Sequence, residues 1–243
     1  MTEFRLPRNS RLEKGRQFTS VKETINLRRY SVYRYNPDKK NNPRVDSYDV
    51  DMDNCGPMVL DVLIKIKDEI DPTLTFRRSC REGICGSCAM RINGHAGLAC
   101  KTQASDAIKD GVITGEPAGN MTVIKDLVVN FDSFWDKINQ IEPYLKPEGP
   151  EPEAEYIASN ESMLHLSSVT SCIMCGSCVS DCTVMEVDPT FLGPAALAKA
   201  YRFTADPRDG DAEGVSKDRL EELTKPSGMW DCTRCMECVQ GCP

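Results

Sequence analysis

A chain of 243 residues can bury one large hydrophobic core or two ordinary ones. Its 30 Lys and Arg against 37 Asp and Glu leave a formal charge of -7, which excludes nucleic acid as a partner class, because neutralising phosphates takes clustered basic charge. No window nears the roughly 18 consecutive apolar residues of a membrane span, and the N-terminal MTEFRLPRNSRLEKGRQF has no apolar stretch of signal-peptide length, so the thiols are expected to stay reduced and any membrane association to come through a partner.

Residues 1–22 are polar and without period, and are predicted to form an extended arm. Around LRRYSVYRY and YDVDM, apolar and aromatic residues recur at every second position, as at Tyr48, Val50 and Met52, the pattern of half-buried strands. The NPDKKNNPR between them is turn chemistry. From Pro57 the period changes: Val59, Val62, Leu63, Ile66 and Ile70 fall at i, i+3, i+4, i+7 and i+11, predicting an amphipathic helix with Pro57 in its first turn and a stop before Pro72. Asn93-Gly94 inside SCAMRINGHAGLACK suits a tight hairpin turn. Ile124, Leu127, Val128, Phe131, Trp135 and Ile138 again follow helical spacing, predicting a helix from Ile124, and EPYLKPEGPEPE reads as an acidic, proline-rich connector. From Ser159 onward the patterns are short and helical, as in GPAALAKAYRF, with no strand. The fold class predicted is α+β, a small mixed domain followed by a mostly helical one.

Thirteen cysteines dominate the chemistry. Cys80, Cys85, Cys88 and Cys100 are spaced C-x4-C-x2-C-x11-C, the plant-type spacing for a [2Fe-2S] cluster. Gly83 and Gly86 give that loop the positive φ angles and close approach needed to aim backbone N–H groups at sulfur. Arg77, Arg78 and Arg81 beside it would offset cluster charge or simply sit in solvent. Further on, Cys172, Cys175, Cys178 and Cys182, and again Cys232, Cys235, Cys238 and Cys242, follow C-x2-C-x2-C-x3-C, the second run ending in Pro243. That is the bacterial ferredoxin run, whose fourth cysteine serves the other cluster. Crossing the fourth ligands gives Cys172, Cys175, Cys178 with Cys242, and Cys232, Cys235, Cys238 with Cys182.

Zinc is the rival ligand. It needs four donors, usually two pairs across a short loop, and each triplet here leaves a cysteine too many. Twelve cysteines make three sets of four once Cys55 is set aside, and Cys55, in DNCGPM, reads as a small buried residue. His95 and His165 form no ligand-like pair; the first reads as a solvated turn residue and the second as a helix-face residue. The chain has no Gly-rich dinucleotide fingerprint and no candidate catalytic acid-base group, so no catalytic residue is assigned and electrons must enter and leave through other proteins.

SCREGICGSCAMRING with LAC downstream, then CIMCGSC, FLGPAALAKAYRF and the final CVQGCP, resemble the iron-sulfur subunit of succinate dehydrogenase and of its relative fumarate reductase, from about Leu27 to Pro243. The resemblance implies an N-terminal β-grasp domain of plant-ferredoxin type over residues 23–129 and a C-terminal all-α bacterial-ferredoxin-like domain over 130–243. It also implies an FAD-containing flavoprotein partner that oxidises succinate, membrane anchor subunits, and a quinone acceptor. The place implied is the cytoplasmic face of the inner membrane, or the matrix face of the mitochondrial inner membrane. By position, Cys80, Cys85, Cys88 and Cys100 would hold [2Fe-2S] nearest the flavin. Cys172, Cys175, Cys178 and Cys242 would hold the middle [4Fe-4S], and Cys182, Cys232 and Cys238 the third cluster, nearest the quinone.

The sequence departs from the family in places. Usual members carry a three-iron third cluster, with an aliphatic residue where this chain has Cys235, so [4Fe-4S] is expected here and [3Fe-4S] is the alternative. Thr183, Val187 and Thr233 stand where ubiquinone-reducing members have proline, tryptophan and histidine, which makes a menaquinone site or another membrane-side partner plausible. The family continues past the last Cys-Pro, so truncation after Pro243 is expected. Sequence leaves fumarate reduction as an alternative direction, and a zinc-binding interaction module as a rival of another class.

Overall fold

The computed structural model describes residues 12–19, 26–39, 41–108, 110–210 and 216–243. Residues 1–11 and 20–22 of the expected arm lie outside them. The chain divides into two compact units, Met1–Asn130 with Gly241–Pro243, and Phe131–Gln240.

The first unit is built on a six-stranded mixed sheet. Its strands are β1 (Gln17–Phe18), β2 (Leu27–Arg34), β3 (Arg44–Asp51), β4 (Ala89–Ile92), β5 (His95–Leu98) and β6 (Val112–Glu116), in the order β1-β3-β2-β6-β4-β5. β2 and β3 pair antiparallel with Tyr30 opposite Tyr48 and Val32 opposite Asp46. Because side chains alternate across a strand, this register buries Tyr30, Val32, Tyr48 and Val50 on one face, as the two-residue period requires. Part of the expected arm joins the sheet: β1 pairs parallel with β3, and Phe18 stacks on Tyr48 with ring centroids 4.8 Å apart.

The helix expected from Pro57 is α1 (Val59–Lys65), continued by a wider turn over Ile66–Ile70. Pro57 lies before the helix rather than in its first turn, because Met58 is the N-cap and the Asp61 carboxylate accepts its amide at 3.1 Å. Val59, Val62, Leu63 and Ile66 of the expected stripe are buried, together with Leu60, which the spacing did not include, while Ile70 at its end is half-buried. The hairpin forms as predicted, with Asn93 at φ 52° and Gly94 at φ 83° between β4 and β5, the paired left-handed residues of a tight hairpin turn.

The helix expected from Ile124 is corrected. Val123–Lys125 (β7) and Val128–Val129 (β8) form a separate two-stranded hairpin, and only Asp132–Gln140 is helical (α2). Asp126 explains the difference. It turns the chain at φ 47°, and its buried carboxylate accepts the Tyr35 and Thr75 amides at 3.0 and 2.9 Å and Arg34 Nε at 3.1 Å. Those long-range bonds outweigh a helical spacing that the strand residues match by coincidence.

The second unit is helical, and no strand is found in it among the described residues. Its further helices are α3 (Asn160–Thr170), α4 (Ser177–Ser180), α5 (Thr183–Val187), α6 (Gly193–Thr204), α7 (Lys217–Thr224) and α8 (Glu237–Gln240). α6 is the hub, packing on α2, α3, α4 and α7. Small side chains make this approach possible, since Ala195, Ala196 and Ala200 are buried along one face of α6 with Phe203. Arg219 on α7, 3% exposed, donates to the carbonyls of Glu142 and Tyr144 at 2.6 and 2.9 Å and also to that of Ile141. It thereby fastens the connector after α2. Among the described residues, no helix is long and apolar enough to cross a membrane.

Candidate iron-sulfur sites

None of the thirteen cysteines forms a disulfide. Cys80, Cys85 and Cys88 sit on the loop before β4, and Cys100 sits two residues after β5. Cys80 Sγ accepts the amides of Glu82, Ile84 and Cys85 at 3.5, 3.4 and 3.3 Å, while the Cys80 amide points at Cys85 Sγ at 3.5 Å. The loop can aim so many N–H groups inward because Arg81, Gly83 and Gly86 take φ of 63°, 82° and 70°, turning successive amides to one side. A Cβ on Gly83 would lie 2.6 Å from Lys101 Cδ, so the loop is drawn against the segment that carries Cys100. Cys88 and Cys100 are buried, Cys80 half-buried and Cys85 exposed.

The electrostatics differ within this set. The Ser87 hydroxyl, 3.1 Å from Cys85 Sγ, with the amides of Cys80 and Ser87, holds the Cys85 thiol down to about 6. Burial pushes Cys88 up to about 12, and the neighbouring thiols of Cys100 and Cys85 add to it. Cys85 and Cys100 are thus close enough to influence the charge of Cys88, and the Cys85 amide donates to the sulfur of the fourth, Cys80, at 3.3 Å. Arg77, Arg78 and Arg81 are all exposed.

In the second unit the two triplets turn left-handed at corresponding positions. Met174 and Gly176 take φ of 57° and 80°; Arg234 and Met236, at the corresponding places, take 57° and 66°. Each triplet then enters a one-turn helix, α4 with Cys178 and α8 with Cys238, and these two helices pack together. Cys182 caps α5. Burial raises the Cys238 thiol, followed by the nearby thiols of Cys182, Cys235 and Cys232, which lie within electrostatic reach of it. The Thr183 hydroxyl and the Glu237 amide lower Cys235. Cys175 lies 3.4 Å from Ser177 Oγ, and Cys172 lies 3.7 Å from Met174 Sδ. Cys242 is exposed and groups with the first unit.

These turns suit iron-sulfur clusters, which take thiolates spread around a core larger than one ion, with amides and hydroxyls donating to sulfur. Among the described residues, no three His, Cys, Asp or Glu side chains gather at the spacing of a single metal ion. His95 is exposed at the start of β5 and His165 is exposed on α3. Cys55 is half-buried rather than buried, and burial raises its thiol.

Sequence reasoning missed Ser87, Ser177 and the left-handed non-glycine residues, and it singled out Thr183 only as a departure on the quinone side, not as a partner of Cys235. A signal for the serines was present: Cys-Gly-Ser-Cys occurs twice, at Cys85–Cys88 and Cys175–Cys178.

Residues 29–136 match the family of 2Fe-2S iron-sulfur cluster binding domains, and residues 168–243 match that of 4Fe-4S dicluster domains. Fold and site together define an iron-sulfur protein made of a β-grasp ferredoxin domain and a helical dicluster domain. The chain is 46% identical over 244 aligned residues to the succinate dehydrogenase iron-sulfur subunit of Paracoccus denitrificans, covering 100% of this chain and 92% of that one. It is also similar to a chain of the Mycobacterium smegmatis Sdh1 complex in the apo form. The TM-score there is 0.75 at 26% identity, over 90% of this chain and 89% of that one. The chain belongs to the family of succinate dehydrogenase iron-sulfur subunits, components of an oxidoreductase complex.

Proposed function

We propose that this chain is the electron-transfer subunit of a succinate:quinone oxidoreductase. In that role it takes electrons from an FAD-bearing flavoprotein and delivers them to a quinone beside membrane anchor subunits. It sits peripherally, on the cytoplasmic face of the inner membrane or the matrix face of the mitochondrial one. Residues 23–129 are the [2Fe-2S] domain and 130–243 the dicluster domain. The 46% identity along the whole chain carries the reading.

Cys80, Cys85, Cys88 and Cys100 hold [2Fe-2S] in this scheme. Cys172, Cys175 and Cys178 with Cys242 hold one [4Fe-4S], and Cys182, Cys232, Cys235 and Cys238 the other. Bound clusters supply one-electron carriers. The chain's own residues hold the thiolates, donate hydrogen bonds to their sulfurs and set how much charge each site tolerates. The complete C-x2-C-x2-C spacing of the last run, with Cys182, Cys235 and Cys232 within electrostatic reach of Cys238, supports a four-iron rather than a three-iron third cluster.

The test is low-temperature EPR on the anaerobically purified complex, oxidised and then reduced with dithionite. Absence of a three-iron signal when oxidised, with one [2Fe-2S] and two coupled four-iron spectra when reduced, is the expected result. A near-isotropic three-iron signal overturns the four-iron assignment. Colourless protein with stoichiometric zinc overturns the electron-transfer role, and quinol-driven fumarate reduction far faster than succinate oxidation reassigns the direction.

A further inference from the structure

Three turns in this chain share a local plan. In each, the first of two cysteines spaced C-x2-C is followed by a left-handed residue: Gly86 at φ 70°, Gly176 at φ 80° and Met236 at φ 66°. In two of them the next residue is a serine whose hydroxyl bonds that cysteine's sulfur: Ser87 Oγ lies 3.1 Å from Cys85 Sγ, and Ser177 Oγ accepts from the Cys175 thiol at 3.4 Å, a bond whose donor becomes the hydroxyl once the sulfur is a thiolate. The third turn has Glu237 at the serine position, and an ionised carboxylate has no proton to give. A hydroxyl is nevertheless there: Thr183 Oγ1, the first residue of α5 and 52 positions away in sequence, lies 3.4 Å from Cys235 Sγ.

Resting on the reading that Cys235 is a ligand of a four-iron third cluster, we infer that Thr183 is a positioning residue for that cluster. Its hydroxyl donates to Cys235 Sγ in place of the missing serine and raises the reduction potential of that site alone. The physical reason is general. Reduction adds negative charge to the cluster and its thiolates, a donor on sulfur stabilises the more negative state, and hydrogen bonds to sulfur are among the determinants of cluster potential. Thr183 also follows Cys182, a second thiol of the same set, so one short segment supplies both a ligand and a donor to the ligand opposite.

The measurement is a redox titration of the purified complex, followed by EPR, on the unmodified protein and on Thr183→Val and Thr183→Ser. Valine keeps the shape and removes the donor, so the midpoint of the third cluster is expected to fall while the other two stay put. Serine is expected to hold the unmodified value. Glu237→Ser in the valine background rebuilds the local plan of the other two turns, and its midpoint is expected to exceed that of Glu237→Ala in the same background, which controls for the lost charge. If valine prevents cluster assembly, Thr183→Ala carries the same expectation. An unchanged midpoint in a protein showing two four-iron spectra overturns the role of Thr183 and leaves the cluster assignment standing. A three-iron signal in the unmodified oxidised complex overturns both, because Cys235 is then outside the ligand set.

Discussion

Arg34 Nη1 lies 2.5 Å from the Asp71 carboxylate, with the two side chains 3% and 6% exposed. Arg34 also meets Asp126 at 3.1 Å, Asp46 at 3.4 Å and Tyr48 Oη at 2.5 Å. One buried cation therefore ties β2 and β3 to the turn at Asp71 and to the β7-β8 hairpin. Removing one member of a buried ionic network leaves the others charged and unpaired, at a cost of about 3–5 kcal/mol. Arg34→Met is expected to lower stability by that order, read as a fall in the denaturant midpoint of the first unit's unfolding with the visible [2Fe-2S] absorbance as its reporter.

The same network predicts a pH dependence. Burial alone would raise the Asp71 carboxyl, but the Thr73 hydroxyl and Arg34 outweigh it and hold the carboxyl well below the usual carboxylate range. A carboxyl depressed in the folded state adds stability that is complete above the unfolded value of about 4 and is lost as pH falls toward the folded value. Stability should therefore decline below about pH 4. Asp71→Asn should be less stable at neutral pH and show a shallower acid decline. A decline of equal slope in the two proteins, read by circular dichroism along a pH series, would show that Asp71 is not its source.

The corresponding left-handed positions Gly176 and Met236 allow a paired test. At φ 80° and 66°, a side chain costs about 1–2 kcal/mol that glycine does not incur. Gly176→Ala should destabilise its turn by that order. Met236→Gly should do the opposite by less than about 1 kcal/mol, because glycine also frees the unfolded chain. The readout is the rate at which a chelator bleaches the complex, expected to rise in the first variant and to fall in the second.

Arg219 gives the second unit its counterpart to Arg34. It serves three carbonyls between Ile141 and Tyr144 and both oxygens of Asp209. Arg219→Met strands those acceptors and a buried carboxylate, and should cost about 3 kcal/mol or more. Amides in the connector after α2 should then exchange hydrogen faster than those of β2 and β3, whose protection stays unchanged. Uniform exchange across the chain would mean that Arg219 supports the whole fold rather than this tether.

What the sequence disclosed depended on the range of the forces involved. Alternation at Tyr48 and Val50, the stripe from Val59 to Ile66 and the Asn93-Gly94 turn are local patterns, and each formed where it was read. The stretch from Ile124 misled because its outcome was set by Asp126 reaching Arg34, 92 residues away, which no local period encodes. Cysteine spacing was legible because covalent ligation demands it. The hydroxyl of Thr183 was not, because its partner is 52 residues distant and no motif joins them. Ser87 and Ser177 lay between these cases, visible only when two runs are set side by side.

Cys235 is the middle thiol of the last C-x2-C-x2-C run, and its substitution gives the sharpest outcome. The thiol is exposed, carries the Thr183 hydroxyl at 3.4 Å and is close enough to affect Cys238. If it ligates the fourth iron, Cys235→Ala removes a ligand without touching the turn's left-handed residues, Arg234 and Met236. The third site should then keep three irons, and the oxidised complex should gain the near-isotropic signal expected to be absent from the unmodified protein. The [2Fe-2S] and remaining [4Fe-4S] spectra should be unaltered, because none of their proposed thiols changes. Thr183→Val added to Cys235→Ala should produce no further shift in the third midpoint, since the hydroxyl would have lost its sulfur; a shift as large as in the unmodified background would show that Thr183 acts on the cluster by another route.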